Sequence, residues 1–183
     1  MFFFSTYNTR MNETIKKEIQ QSIQNFSLPR YEELPTVGLF LEQTVEYINQ
    51  CLAPLDGLKI TSSMVRNYVK QGLIQNPVRK KYNIDQIAYL ICVTILKQIA
   101  CLEDLQHLFM QQQKIYTSPV AYNYFCDELE NVLFYQFGYK EKMDHIGTSD
   151  SLEKDILRSA IMAVVNMIYI QKCFENLNKK TKD

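Results

Sequence analysis

The sequence predicts a mostly α-helical protein, and three observations carry that expectation. Its 183 residues include only 5 Gly and 5 Pro, too few breakers for a many-turned β fold. Apolar residues recur at three- and four-residue spacing along most of the chain. Residues that cap helices stand where those periodic stretches begin. At 46% hydrophobic residues the chain can bury a sizeable core. The length suits one compact domain with an extension, or two small ones.

Taken in order, residues 11–25 are polar with Ile15, Ile19 and Ile23 at every fourth position, a weakly amphipathic helix. Leu28-Pro29-Arg30-Tyr31-Glu32-Glu33-Leu34-Pro35 reads as extended chain, because each Pro disfavours helix before it. Residues 1–35 therefore form a helix and an arm. Thr36 is the expected cap of the next helix. Its apolar stripe would be Val37, Phe40, Leu41, Thr44, Val45, Ile48 and Leu52, ended by Pro54 and Gly57.

Thr61 or Ser62 can accept a free backbone N–H and start a short helix. Gly72 stops it as a left-handed residue. Leu73 to Tyr82 is a loop or a small β-hairpin over 74–82. Asn83 with Gln86 is a capping box for a helix whose buried face is Ile84, Ile87, Ala88, Ile91, Ile95 and Ile99. Leu102, Leu105, Leu108 and Phe109 mark another helix, which closes a unit spanning 36–113. The remainder, 114–183, holds a helix bearing Tyr122, Phe125, Cys126, Leu129, Val132, Leu133 and Phe137. A connection over 138–148 follows, then Asp150 and Glu153 as a capping box for a last helix to about Leu177.

The formal net charge is zero, but it is unevenly placed. Between Gly57 and Ile84 lie Lys59, Arg66, Lys70, Arg79, Lys80 and Lys81, with no acidic residue. A local patch still attracts phosphate, because Coulomb attraction is screened over ~8–10 Å and so acts locally. On the short helix, Met64, Val65, Tyr68 and Val69 supply a buried side. Ser63, Arg66, Asn67, Lys70 and Gln71 are left outside at three- and four-residue spacing, so they share a surface. Arg and Lys suit the acceptors of guanine, and Asn and Gln suit adenine. Arg79, Lys80 and Lys81 follow in the loop, where they would neutralise backbone phosphates. A basic amphipathic helix is more often a plain solvated face. The run of six bases, no acids and a wing-like loop shifts the balance towards duplex DNA.

Ile60 to Ile74 resembles the second helix of MerR-type regulators, whose pattern reads roughly L-R-Y-Y-E-x-x-G-L-[IL]. Val65, Arg66, Tyr68, Gly72, Leu73 and Ile74 match, and Arg79 with Lys81-Tyr82 resembles the MerR wing. Asn67 replaces the first Tyr, and Val69-Lys70 replaces the acid. The resemblance implies a winged helix-turn-helix followed by a C-terminal helical bundle. It also implies DNA contacts from the matching Arg66 and from the wing, Tyr82 included. A closer resemblance is to a bacterial family known as domain of unknown function 1836. Leu28-Pro29-Arg30-Tyr31, Leu34-Pro35, Thr61, Met64, Asn67-Tyr68-Val69-Lys70, Pro77, Lys80-Lys81-Tyr82 and Leu96-Lys97 carry it. That family implies no activity.

No constellation for an enzyme is expected: the chain has no G-x-S-x-G, P-loop or G-x-G-x-x-G. His107 and His145 read as surface residues, and Asp127, Glu128 and Glu130 as the polar side of a helix. Cys51, Cys92, Cys101, Cys126 and Cys173 include no C-x-x-C. They read as reduced core residues of a cytoplasmic protein, with no metal or cofactor expected. The most apolar stretch, Ile156 to Ile170, is interrupted by Arg158 and Asn166 and is short for a bilayer, so no membrane partner is expected. This last helix is apolar nearly all round. Either a second subunit covers part of it, giving a homodimer, or it is the centre of a monomeric bundle. The functional expectation is a DNA-binding transcriptional regulator whose effector is unknown. The alternative is a protein–protein interaction module on the same scaffold.

Overall fold

The computed structural model describes residues 13–147 and 151–180. Among them are seven α-helices and one small antiparallel sheet: α1 (13–21), β1 (Leu39–Phe40), α2 (Leu41–Leu52), α3 (Ser62–Lys70), β2 (Lys81–Tyr82), α4 (Ile84–Leu96), α5 (Leu102–Ile115), α6 (Ser118–Gln136) and α7 (Leu152–Lys180). Short 3-10 turns cover Tyr31–Glu33 and Ala53–Leu55.

One hydrophobic core runs through all of it. Ile87, Leu90, Ile91, Val93, Ile95 and Leu96 of α4 are fully buried, so this helix is the axis on which the others pack. Nearly every position of α4 is apolar, as a helix covered on all sides requires. The four-residue spacing of Ile15, Ile19 and Ile23 buries all three. Gln20 ties this stretch to the end of α6: its Nε2 donates to Gly138 O at 3.0 Å, and its carbonyl accepts from the Tyr139 hydroxyl at 2.9 Å.

The arm before β1 is held by ion pairs. The Arg30 guanidinium makes a bidentate pair with Glu130 at 2.7 and 2.8 Å and reaches Asp127 at 3.0 Å. Glu130 also accepts from Leu28 N at 2.9 Å. Glu128 is fully buried, and its Oε1 accepts from Arg158 of α7 at 2.6 Å and from the Tyr124 hydroxyl at 2.8 Å. Asp127 lies on the polar side of the helix as expected, but Glu130 is half-buried and Glu128 buried, and these two fasten the arm and α7 onto α6. Charged groups of this kind are buried only when paired.

Three further expectations are corrected. Thr36 caps no helix: α2 begins at Leu41, and Val37 is 71% exposed. The cause is long-range pairing, since Leu39 and Phe40 form a strand opposite Tyr82 and Lys81. Gly38 lets the backbones close up, because a Cβ there would lie 3.1 Å from the Lys81 Cβ. Secondly, the partner strand of 81–82 is this distant one. The local hairpin expected over 74–82 shrinks to a single bridge between Val78 and Lys81. Thirdly, α4 stops at Leu96, leaving Ile99 42% exposed rather than on the buried face. The capping expectation at Asp150 lies outside the described residues; Ser151 Oγ accepts from Lys154 N at 3.3 Å.

Helix α7 runs longer than its apolar stretch suggested, and by length and composition it could cross a membrane. Ile161, Val164, Val165 and Ile168 are buried against the core, and Lys172 pairs with Asp56 after α2. The opposite side is uncovered. Ile156, Ala163, Ile170 and Leu177 stand exposed at seven-residue steps, and Leu152, Ser159 and Asn166 stand exposed four residues before the first three of them. That alternation of three and four residues is the spacing of a helix-pairing seam.

Candidate nucleic-acid interface

Helix α3 is set by its termini. Thr61 Oγ1 accepts from Met64 N at 3.3 Å. At the other end Gly72 adopts φ +75°, which lets Leu73 N and Ile74 N both donate to Tyr68 O, at 3.0 and 3.3 Å. A left-handed glycine after the last turn is the usual way to satisfy these carbonyls. Val65 and Tyr68 are buried, and burial raises the Tyr68 phenol pKa. Ser63, Arg66, Asn67, Lys70 and Gln71 are all exposed, as the spacing predicts. Gln71 Nε2 donates to Asn67 Oδ1 at 3.3 Å, so these two amides are oriented together.

Two residues whose contacts sequence reasoning missed hold the approach to α3. Asn49 of α2 makes a two-way clamp on Ile60: its Nδ2 donates to Ile60 O at 3.0 Å and its Oδ1 accepts from Ile60 N at 2.9 Å. A side chain that mimics a strand partner in this way replaces missing backbone pairing. Lys97 Nζ donates to Lys59 O at 3.1 Å, and desolvation lowers its pKa. Nothing in the sequence near either residue marks these contacts, because the partners are 11 and 38 positions away.

The loop after α3 ends in a tight turn. Val78 N donates to Lys81 O at 3.1 Å, and Lys81 N donates to Val78 O at 2.9 Å. The two residues at the tip, Arg79 and Lys80, have φ +50° and +64°. Two consecutive left-handed residues define the mirror-image turn that normally selects Asn-Gly. An Arg-Lys pair there carries backbone strain of ~1 kcal/mol or more per residue. Both side chains are exposed. Lys81 is half-buried, with its ammonium 5.2 Å from the centre of the Phe40 ring. Gln86, which completes the Asn83 capping box, also donates from Nε2 to Gln75 O at 2.7 Å and so fixes the root of the loop.

Of the nine expected contact residues, eight have surface to offer. Tyr82 does not: it is 4% exposed and belongs to the core. Burial raises its pKa, with Glu42 adding to the rise and Arg66 opposing it. Arg66 of α3 and Glu42 in the first turn of α2 thus both act on the charge of the Tyr82 phenol of β2. This arrangement also brings in an acid. Glu42 Oε1 stands 3.9 Å from Arg66 Nη2, with both side chains well exposed. The segment from Gly57 to Ile84 contains no acid, yet the fold supplies one from α2. An exposed ion pair at this distance contributes ~0–1 kcal/mol and is readily exchanged for a phosphate.

A family model described as a domain of unknown function (DUF1836) matches residues 29–125. The chain belongs to this family. The match starts at Pro29, before the arm's ion pairs, and ends at Phe125 inside α6. It thus contains α2 to α5, the sheet, the Arg79-Lys80 turn and the Glu42–Arg66 pair. No curated protein and no solved structure matches the chain.

Among the described residues no group of three or more His, Cys, Asp and Glu could hold a metal ion. The five cysteines are free, with Cys92 and Cys126 buried. Burial holds the Cys92 thiol well above its ordinary pKa and pushes Cys126 up to about 12, which keeps both inert as nucleophiles.

Proposed function

We propose that this DUF1836 protein is a DNA-binding transcriptional regulator with a MerR-like winged helix-turn-helix. In this reading α3 lies in the major groove, and Arg66, Asn67, Lys70 and Gln71 read base edges. Ser63 and the turn residues Arg79 and Lys80 hold phosphates, with Lys81 behind them. The observation that carries the reading is the strained turn: an Arg-Lys tip in the conformation of an Asn-Gly turn, directly after a helix with a polar, basic outer face. Strain of this kind is concentrated where side chains are presented for function. Phosphate contacts supply affinity, and the helix supplies sequence preference.

A second copy of the chain would complete the reader, since helix-turn-helix proteins commonly bind two half-sites as symmetric dimers. The uncovered seam of α7 supports such a pairing. Its 29 residues span ~43 Å at 1.5 Å per residue. An antiparallel arrangement sets Glu153 and Asp155 in the first turn of one helix towards Lys179 near the end of its partner. The inert cysteines fit a reducing cytoplasm.

The competing reading, a protein–protein module that does not bind DNA, is favoured by Glu42 beside Arg66 and by the zero net charge. Titration of the full chain with duplex DNA at two salt concentrations separates the two. The proposal expects binding that weakens steeply with salt and a loss of at least tenfold in Arg66→Ala. Glu42→Gln is expected to tighten binding by freeing Arg66. Absence of binding at low salt, or full affinity in Arg66→Ala, favours the protein module.

A further inference from the structure

Away from the α3 surface, a cavity of about 280 Å³ opens between α4, α5, α6 and the first turns of α7. Six aromatic residues line it: Tyr89, Phe109, Tyr116, Tyr122, Tyr124 and Phe125. Tyr89 and Phe109 meet edge to face at 5.3 Å between centroids and 60° between planes, leaving a slot with mixed ring edges and faces. Leu108 and Leu157 complete apolar walls. A cavity of about 150 Å³ lined by such residues stays dry and takes benzene, so this one has room for about two fused rings. Left empty, an apolar cavity costs stability, because its lining lacks partner atoms.

The mouth sets the charge of what can enter. The Lys154 ammonium lies over the faces of Tyr116 and Tyr124, at 5.8 and 5.2 Å from their centroids. Ring faces that would attract a cationic ligand thus already face a positive charge. Gly147 closes the same edge: a Cβ there would lie 3.2 Å from Lys154 Nζ and 3.3 Å from the Tyr124 ring. The other polar side chains are few: Gln112 and Ser118 at the α5–α6 junction, and Glu153, which lines the cavity beside Lys154 and balances its charge.

We infer that this cavity is a binding site for a small, uncharged, planar aromatic molecule of about two fused rings, carrying at most one polar group. The site does not depend on the DNA-binding reading. It shares α5 with the α3 surface, because Gln106 Nε2 donates to Gly72 O at 3.3 Å while Leu108, Phe109 and Gln112 wall the cavity.

The chain has no Trp, so the fluorescence of a bound naphthol is read without indole background. 2-Naphthol titrated into the full chain is expected to saturate at one per chain, with a shift of its emission towards that in apolar solvents. Leu108→Trp, which fills the cavity from α5, is expected to weaken binding at least tenfold while its own emission reports a buried indole. Val120→Trp is a second block at a 56% exposed position on the rim, where folding is not at risk. A cationic analogue, 1-naphthylmethylammonium, is expected to bind at least tenfold more weakly than 2-naphthol. The inference is overturned by a wild-type chain that shows no saturable binding. It is equally overturned by unchanged affinity in both folded Trp variants, or by a cation that binds as well as the neutral probe.

Discussion

Replacing Arg79-Lys80 by Asn-Gly should make the protein more stable and a weaker binder of DNA at the same time. The tip residues sit at φ +50° and +64°, where a side chain other than Gly, or to a lesser degree Asn, crowds the following carbonyl. Relieving both positions recovers ~2 kcal/mol, and the extra freedom of Gly in the unfolded chain returns ~0.5–1 kcal/mol. The net gain is ~1 kcal/mol, which for a chain of this length raises Tm by ~2–4 °C. The two bonds between Val78 and Lys81 that close the turn are backbone bonds and survive the change. If both tip cations meet phosphates, the slope of log K against log salt should fall by ~1.8, at ~0.9 per contact. Calorimetry and salt-dependent titration of one preparation measure both effects. A lower Tm refutes the strain reasoning, and an unchanged slope refutes the phosphate role of the tip.

Glu130→Gln should destabilise by ~2 kcal/mol, because it breaks a bidentate pair that is mostly but not wholly buried (Arg30 side chain 30% exposed, Glu130 15%). A urea midpoint within error of wild type would show that the arm is held by its apolar residues alone. Alkaline pH should unfold the protein earlier than a chain with ordinary tyrosines. Burial, then hydrogen bonds to Asp85 and Glu128, push Tyr31 and Tyr124 each up to about 12. The unfolded chain therefore releases these protons first. The stability is present in full below about pH 10 and is lost as pH rises towards about 12. A denaturation midpoint flat across that window contradicts it. For α7, Ile170→Glu places a charge on a residue 52% exposed, so it should leave secondary structure intact and convert a dimer to a monomer in sedimentation. A wild-type chain that sediments as a monomer removes the seam from the proposal.

Local rules located most elements and most of the candidate surface. Thr61 and Gly72 bracket α3, Asn83 with Gln86 opens α4, and Thr117 precedes α6 with Pro119 in its first turn, because caps and breakers act within a few residues. The spacing of Ser63, Arg66, Asn67, Lys70 and Gln71 fixed which side of α3 they share, and their exposure agrees with it. The misreadings have one cause. Val37 and Phe40 fit a helical stripe, but pairing with residues some forty positions later outweighed that periodicity. Tyr82 matched a contact motif, but β2 turns its side chain inward. Glu42 lies outside the basic segment in sequence and beside it in space.

The amino-acid sequence by itself determined that the chain is helical, where α3 starts and stops, where α4 starts, and which side chains of α3 share a face. Those outcomes follow from hydrogen bonds and side-chain contacts within about four residues. Tertiary structure alone decided what stands next to that face: the acid beside Arg66, the burial of Tyr82, the left-handed tip at Arg79-Lys80 and the Asn49 clamp. It also decided that Glu128 is a buried partner and Glu130 a half-buried one, that an aromatic cavity lies between α4 and α7, and that one side of α7 is left uncovered. Apart from the tip, which is closed by bonds between Val78 and Lys81, each of these depends on groups well separated in the chain. Their meeting is set by the burial of the shared core and not by any residue's own preference.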